Sequence, residues 1–301
     1  MKCLVTGGAG FIGSNLALKL EFLGHDVVVL DTSIRKKTKN LEKFRGRLIE
    51  GDESVISSLK ERYDVVFHQS ANTNPRFPDD SEMLRNNIEG FKRVLDYQER
   101  TKAKVVYASS SAVYGRGNIP MNENQPGDIL SAYAKSKLEM EKLAVNRYNG
   151  GTLVGLRYFN VYGPHETLKG KTANVIFHIA SQIKDCKNPK IFEFGDQKRD
   201  NIYVEDILDL NLLAMSYDGC EIFNAGTGTA RSFNEIIKIL NKELRTNLAP
   251  EYIKNPYGIN YQDVTLADMS KTKKILGFSH QYSLERGIKE YVKYLDTNGW
   301  T

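Results

Sequence analysis

The chain has 301 residues, 41% of them apolar and 26% charged, and carries a net charge of +5. That is an ordinary globular composition, long enough for one large domain or two modest ones. No run reaches the roughly 18 apolar residues of a membrane span, and lysines scattered among acids argue against a nucleic-acid partner while suiting a small anionic substrate. The first apolar run leaves no room for a signal peptide, so none is expected. Cys3, Cys186 and Cys220 lack metal-ligand spacing; no metal is expected, and the reading is of reduced thiols in the cytoplasm.

Residues 3–5 predict a first strand. It runs into Thr6-Gly7-Gly8-Ala9-Gly10-Phe11-Ile12-Gly13, after which residues 11–23 show the amphipathic pattern of a helix. Strand, glycine turn and helix make a phosphate-binding unit. Gly7 permits the tight turn, Gly10 lets the backbone approach a pyrophosphate, and Gly13 lets helix pack on strand. Phe11 and Ile12 open the helix, whose unpaired N–H groups and positive dipole end face the phosphates. A second apolar run, 27–30, ends in Asp31, where a carboxylate suits the ribose hydroxyls of a dinucleotide. Asp31 points to NAD. The basic stretch Arg35-Lys36-Lys37 just beyond leaves NADP open, because it could hold a 2′-phosphate.

Strand-like runs follow at 47–49, 65–68, 105–108 and 153–156, with helical patterns at 55–60, 83–100 and 132–148 between them. Such alternation implies right-handed crossovers and a Rossmann-type α/β fold, a doubly wound parallel sheet with helices on both faces. After Pro164 the pattern is less regular, with helices expected at 173–184, 204–215, 233–244 and 284–295 and a strand at 221–224. The expected organisation is a nucleotide-binding domain of residues 1–163 with 199–228. A smaller C-terminal substrate-binding lobe of 164–198 with 229–301 would face it across a cleft.

The run at 105–108 continues into Ser109-Ser110-Ser111, which sets hydroxyls at the carboxyl edge where open α/β sheets bind ligands. Tyr133 and Lys137 stand at i and i+4 on helix 132–148 and share one face. An ammonium beside a phenol lowers its pKa from about 10. A tyrosine so placed takes a proton from a hydroxyl as hydride leaves for a nicotinamide. Each piece alone is a common accident; glycine turn, serine cluster and Tyr/Lys pair in this order select redox chemistry at a hydroxyl-bearing carbon. Asn160 is expected to close a strand at the same edge and to touch substrate.

These segments resemble those of the extended short-chain dehydrogenases/reductases, the family of nucleotide-sugar epimerases and dehydratases. So do Tyr158-Phe159-Asn160-Val161-Tyr162-Gly163-Pro164, Arg199-Asp200-Asn201-Ile202-Tyr203 and Phe223-Asn224-Ala225-Gly226, and the likeness spans nearly the whole chain. The resemblance implies that Tyr133 is the acid/base, Lys137 its partner, and Ser110 the hydroxyl on the reacting oxygen. It also implies that Asp52 holds adenine, that Asn87 braces the sheet near the cofactor, and that Arg199 binds the nucleotide diphosphate. Dehydratases of this family carry an acid just after that serine. Ser111 and Ala112 stand there instead, which directs the reading to epimerisation.

The stretch from His165-Glu166-Thr167-Leu168-Lys169-Gly170 to His178, with Tyr261-Gln262 further on, is similar to the ADP-glycero-manno-heptose 6-epimerase group. By that likeness Lys169 is a second acid/base on the other side of the sugar, and His178 and Tyr261 contact substrate. Hydride leaves one face and returns to the other, so the ketone is presented in two orientations, and such a group would serve the second pose. His165 departs from the arginine usual in that group. The expected function is thus an NAD(P)-dependent nucleotide-sugar epimerase. A UDP-glucose/UDP-hexose 4-epimerase and a net nucleotide-sugar dehydrogenase or reductase share the same motifs and stay open. Relatives associate through helices equivalent to 83–100 and 132–148, which implies a homo-oligomer.

Overall fold

A computed structural model describes residues 1–34, 38–73, 79–125, 127–256 and 262–300. Its framework is a seven-stranded sheet of β1 (Lys2–Thr6), β2 (Asp26–Asp31), β3 (Arg47–Glu50), β4 (Val65–His68), β5 (Lys104–Ser110), β6 (Thr152–Tyr158) and β10 (Gly219–Ala225). In space the order is β3-β2-β1-β4-β5-β6-β10, and every pairing is parallel. The chain therefore reverses its direction of travel across the sheet between β1 and β4. A crevice opens at the carboxyl ends of strands where that happens.

Both faces of the sheet are covered, which is why its strands read as continuous apolar runs rather than alternating ones. Cys3, Val5, Val29, Phe67, Val106 and Leu156 pack with α1 (Phe11–Phe22) and α5 (Val204–Ala214), through Leu16, Leu20, Ile207 and Leu210. Leu4, Val28, Val66, Val105 and Leu153 face the other way, onto Phe91 and Val94 of α2 (Asp80–Thr101) and Met140 of α3 (Ala132–Arg147). The helix starts are written locally. Asp79 accepts from the N–H groups of Ser81 and Glu82, and Ser131 accepts from that of Ala134.

The C-terminal elements form a third core. Between β6 and β10 lie β7 (Asn160–Tyr162), α4 (Val175–Lys184), β8 (Lys190–Phe192), β9 (Lys198–Tyr203) and α5. After them come β11 (Ala230–Ser232), α6 (Phe233–Leu244), β12 (Glu251–Ile253), α7 (Ser270–Leu276) and α8 (Leu284–Asn298). Ile176, Ile179 and Ile183 of α4 meet Ile236 and Leu240 of α6 and Ile288 and Leu295 of α8. β11, β9 and β7 form one small sheet, and β12 pairs with β8 in another. Among the described residues no helix is long and apolar enough to cross a membrane.

The principal departures from expectation are local. Residues 55–60 do not form an α-helix. A 3-10 helix, Glu53–Ser58, stands there with only Ile56 buried, too little apolar surface to hold a longer element. The helix expected from 173 begins at Val175, because the Asn174 side chain accepts from the Ile176 N–H and caps it.

Behind the crevice, Glu141 of α3 takes two bonds from the Arg157 guanidinium of β6, at 2.9 and 2.7 Å, and both side chains are buried. The Ser109 hydroxyl donates to the same carboxylate. Arg157→Met leaves that charge buried and unpaired, and is expected to destabilise the fold by about 3–5 kcal/mol, read as a lower urea midpoint.

Candidate active site

A cavity of about 1430 Å³ occupies the crevice and extends under the C-terminal elements. Its cofactor end is shaped by the absence of side chains. Gly7 has φ 64°, and a Cβ there would lie 2.6 Å from the Ser70 nitrogen. A Cβ on Gly13 would collide with the Gly7 carbonyl and the Gly8 Cα. Gly10, the N-cap of α1, offers no capping side chain, and the first turn carries no acid. Gly10, Phe11, Ile12 and Gly13 line the cavity, so the N–H groups and positive end of α1 are turned to it. Asp31 lines the same end, its carboxylate accepting from Ala9 N–H at 3.1 Å and Ser33 N–H at 2.8 Å. This cradle fits a dinucleotide diphosphate with its adjoining ribose.

Two expected cofactor residues sit differently. Asp52 does not line the cavity, although Gly51 and Glu53 on either side do. Its carboxylate accepts from Ser54 N–H at 2.9 Å and caps the 3-10 helix, a local bond that competes for the same oxygens. Asn87 is a brace: it bonds both backbone groups of Asn72 and donates to the Ser136 hydroxyl at 3.1 Å, tying the loop after β4 to α3.

Ser110 ends β5, and Tyr133 and Lys137 stand on the first turns of α3; all three line the cavity. The Tyr133 hydroxyl is hydrogen-bonded to Ser110. The expected lowering of the phenol pKa by Lys137 is not found. Burial pushes the phenol up, and only the Ser110 bond opposes it. Lys137 is 1% exposed, donates to the Ala108 carbonyl at 2.7 Å and lies 5.7 Å from the centroid of the Tyr133 ring. Burial brings its own pKa down to about 8, with Glu141 and Glu53 pulling the other way.

The 3-10 helix Thr167–Thr172 contributes Leu168, Lys169, Lys171 and Thr172 to the lining. The Lys169 ammonium lies 5.3 Å from the centroid of the Phe11 ring, beside the glycine turn. His178 also lines the cavity. Burial pushes its pKa down, while hydrogen bonds with the backbone of Lys171 and Ala173 oppose that and engage the ring within the loop. Asn160 lines the cavity but opens β7 instead of closing a strand. β6 ends at Tyr158, and the Phe159 N–H turns to the Ala225 carbonyl. The Asn160 amide donates to the Asp200 carbonyl and the Thr265 hydroxyl. Arg199 reaches the far end, donating to the carbonyls of Lys198 and Asp263 with its guanidinium 5.7 Å from the Phe233 ring centroid. Tyr261 and Arg35-Lys36-Lys37 lie outside the described residues.

Sequence reasoning missed two groups, a half-buried carboxylate in the cavity wall and a buried histidine behind it. Glu53 lines it within 4.0 Å of His68, and burial raises its carboxyl pKa. His68 itself is 1% exposed; its Nδ1 is 2.8 Å from the Thr6 hydroxyl, and its Nε2 has no partner among the described residues. An apolar neighbourhood was legible from Val65-Val66-Phe67; the unpaired ring nitrogen was not. His165, the departure from the arginine pattern, adopts φ 69° and sets Nδ1 2.8 Å from the Ser14 hydroxyl of α1.

The sequence matches the NAD-dependent epimerase/dehydratase family over residues 3–226. An ADP-L-glycero-D-manno-heptose-6-epimerase of Brachyspira hyodysenteriae is 36% identical, over 98% of this chain and 98% of its own. The crystal structure of the Helicobacter pylori ADP-L-glycero-D-manno-heptose-6-epimerase superimposes with a TM-score of 0.91 at 36% identity, covering 98% of this chain and 96% of that one. The UDP-glucose 4-epimerase of Thermotoga maritima, solved with UDP-glucose, superimposes with a TM-score of 0.89 at 29% identity, covering 99% of each chain. The chain thus belongs to the NAD-dependent epimerase/dehydratase family, among its nucleotide-sugar epimerases.

Two outcomes follow from the cofactor end. Gly13→Val fills the cradle, so the nicotinamide recovered from acid extracts of the purified protein is expected to drop by about tenfold or more. The His68 pKa is held down, from 6.5 to about 3, by burial. Its folded value lies below its unfolded one, so the stability it contributes is present above pH 6.5 and is lost as the pH falls toward 3. Urea unfolding across that window should show a loss of up to about 1.4 kcal/mol per pH unit in the native protein; the slope flattens in His68→Gln.

Proposed function

We propose that this protein is a cytoplasmic epimerase that inverts carbon 6 of an ADP-linked glycero-manno-heptose. In this reading residues 1–163 with 199–228 hold the cofactor, and 164–198 with 229–301 hold the sugar nucleotide. The observation that carries it is the placement of Lys169 and Tyr133, two proton-transferring side chains from separate elements, in the wall of one cavity that also contains the glycine cradle. A second proton-transferring group in the same wall suits an inversion in which the ketone turns over between the two hydride steps and meets a different donor in each pose.

A nicotinamide held in the glycine cradle would supply the hydride acceptor and donor. Tyr133 takes the proton from the sugar hydroxyl, with Ser110 fixing the reacting oxygen. Lys137, 5.7 Å from the centroid of the phenol ring, ties α3 to β5 through the Ala108 carbonyl and so holds Tyr133 beside Ser110. Lys169 returns a proton on the other face after the ketone has rotated. Arg199 engages the diphosphate, Asn160, His178 and Tyr261 border the sugar, and Asp31 holds the adenosine ribose. Asp52, through the turn it caps, and Asn87, through the loop it braces, shape the surrounding wall. The relatives' habit of self-association makes a homo-oligomer part of the same proposal.

Proton NMR of the purified enzyme with ADP-D-glycero-D-manno-heptose in one tube and UDP-glucose in another decides between the two leading substrates. Signals of the 6-epimer in the first tube alone are expected. Galactose signals in the second alone would make the enzyme a hexose 4-epimerase and return Lys169 to a surface role. With the heptose substrate, Tyr133→Phe and Lys169→Met are each expected to lower turnover by about 10²–10⁴-fold, while both keep the bound nicotinamide.

A further inference from the structure

The residues at 165 and 166 send consecutive side chains in different directions. His165 turns to α1, where its ring meets Ser14. Glu166 turns inward and has 0% exposure. One carboxylate oxygen accepts from the Asn174 N–H, at the start of α4. The other accepts from the Tyr291 hydroxyl of α8 at 3.3 Å. The Glu166 carbonyl accepts from the Lys169 N–H at 2.9 Å. Segment 166–174 is therefore closed on a single side chain, and most of what lies between, including Leu168, Lys169, Lys171 and Thr172, lines the cavity.

Glu166 itself does not line the cavity, so it meets neither sugar nor cofactor. Donors from two elements, the start of α4 and α8, meet in this carboxylate; burial pushes its pKa up to about 7, and its oxygens supply the acceptors. An apolar residue of the same size would fill the volume but leave the Asn174 N–H and the Tyr291 hydroxyl without this acceptor. An amide would turn its own donors against one of them. The specific requirement is for a carboxylate, at a site whose visible output is the placement of Lys169.

We propose that Glu166 is a positioning residue for Lys169: by closing segment 166–174 on its carboxylate, it holds the Lys169 ammonium at the distance from the sugar that proton transfer requires. This rests on the reading of Lys169 as the second proton donor. Displacements of about 1 Å in such a group cost on the order of 10²-fold in rate. Loss of the closure should therefore appear in kcat more than in KM, and on one face of the sugar only.

The holoenzyme test uses Glu166→Gln, Tyr291→Phe and Lys169→Met, each given the two heptose epimers separately. Reduction of the bound nicotinamide is followed by its near-ultraviolet absorbance and full epimerisation by NMR. Lys169→Met should slow cofactor reduction by one epimer and spare it with the other, whose oxidation uses Tyr133. Glu166→Gln is expected to show the same asymmetry, with kcat for epimerisation down about tenfold or more and KM within about threefold of native. Tyr291→Phe removes one hydroxyl without changing volume, so it carries the test if the glutamine variant does not fold; a loss of about two- to fivefold with the same asymmetry is expected. Equal slowing with both epimers would mean general damage and overturn the proposal. A normal kcat in Tyr291→Phe and Glu166→Gln, alongside an asymmetric Lys169→Met, would overturn Glu166 alone. A symmetric Lys169→Met would overturn the Lys169 reading and the Glu166 proposal with it.

Discussion

The carboxylate of Glu141 is the point on which the active geometry depends. Burying an ion pair is costly, and two charges removed from water are only just offset by their attraction. Here the geometry is favourable: the Arg157 guanidinium meets Glu141 with two bonds, and Ser109 adds a third. These contacts fasten α3 to β5 and β6 at once. One turn earlier on α3 stands Lys137, and the residue after Ser109 is Ser110, so the bonds that fasten helix to strand also bring Tyr133, Lys137 and Ser110 together. A hydrophobic contact of equal strength would tolerate sliding; a bidentate ion pair with a hydroxyl wedge does not.

Much of the framework was legible because its physics is local. The strands of the large sheet are apolar on both faces, and the helices α1, α2 and α3 carry recognisable starts. The short strands β7, β8, β9, β11 and β12 were not legible. A stretch such as Lys198-Arg199-Asp200-Asn201-Ile202-Tyr203 has no apolar alternation, and its strand character comes from pairing with β7 and β11, which lie far off in sequence. The boundary at Asn174 was missed for a related reason: its cap function shows only once the preceding turn is known.

At the site, backbone requirements could be read from the sequence and hydrogen-bond competition could not. Gly7 and Gly13 are where the turn demands them. Asp52, by contrast, has a serine two residues on that claims its carboxylate. Lys137 finds the Ala108 carbonyl nearer than the phenol oxygen it was expected to serve. Both outcomes depend on which acceptor a flexible side chain reaches first, and one-dimensional spacing carries no such information. Burial was similarly hidden. His68 follows three apolar residues, yet its unpaired Nε2 and its displaced titration come from what α2 lays over it, Phe91 among others.

The cations in the cavity wall have a consequence for how substrate arrives. Lys169, Lys171, Lys190 and Arg199 all border the cavity, against the carboxylates of Asp31 and Glu53, while the molecule as a whole carries only +5. Walls of that kind concentrate field lines, so a sugar nucleotide with its paired phosphates is drawn in from several ångströms away rather than met by chance. The reach of that pull is the Debye length, about 10 Å at 0.1 M salt and about 3 Å at 1 M. Encounter is therefore the step at which ionic strength acts on the enzyme.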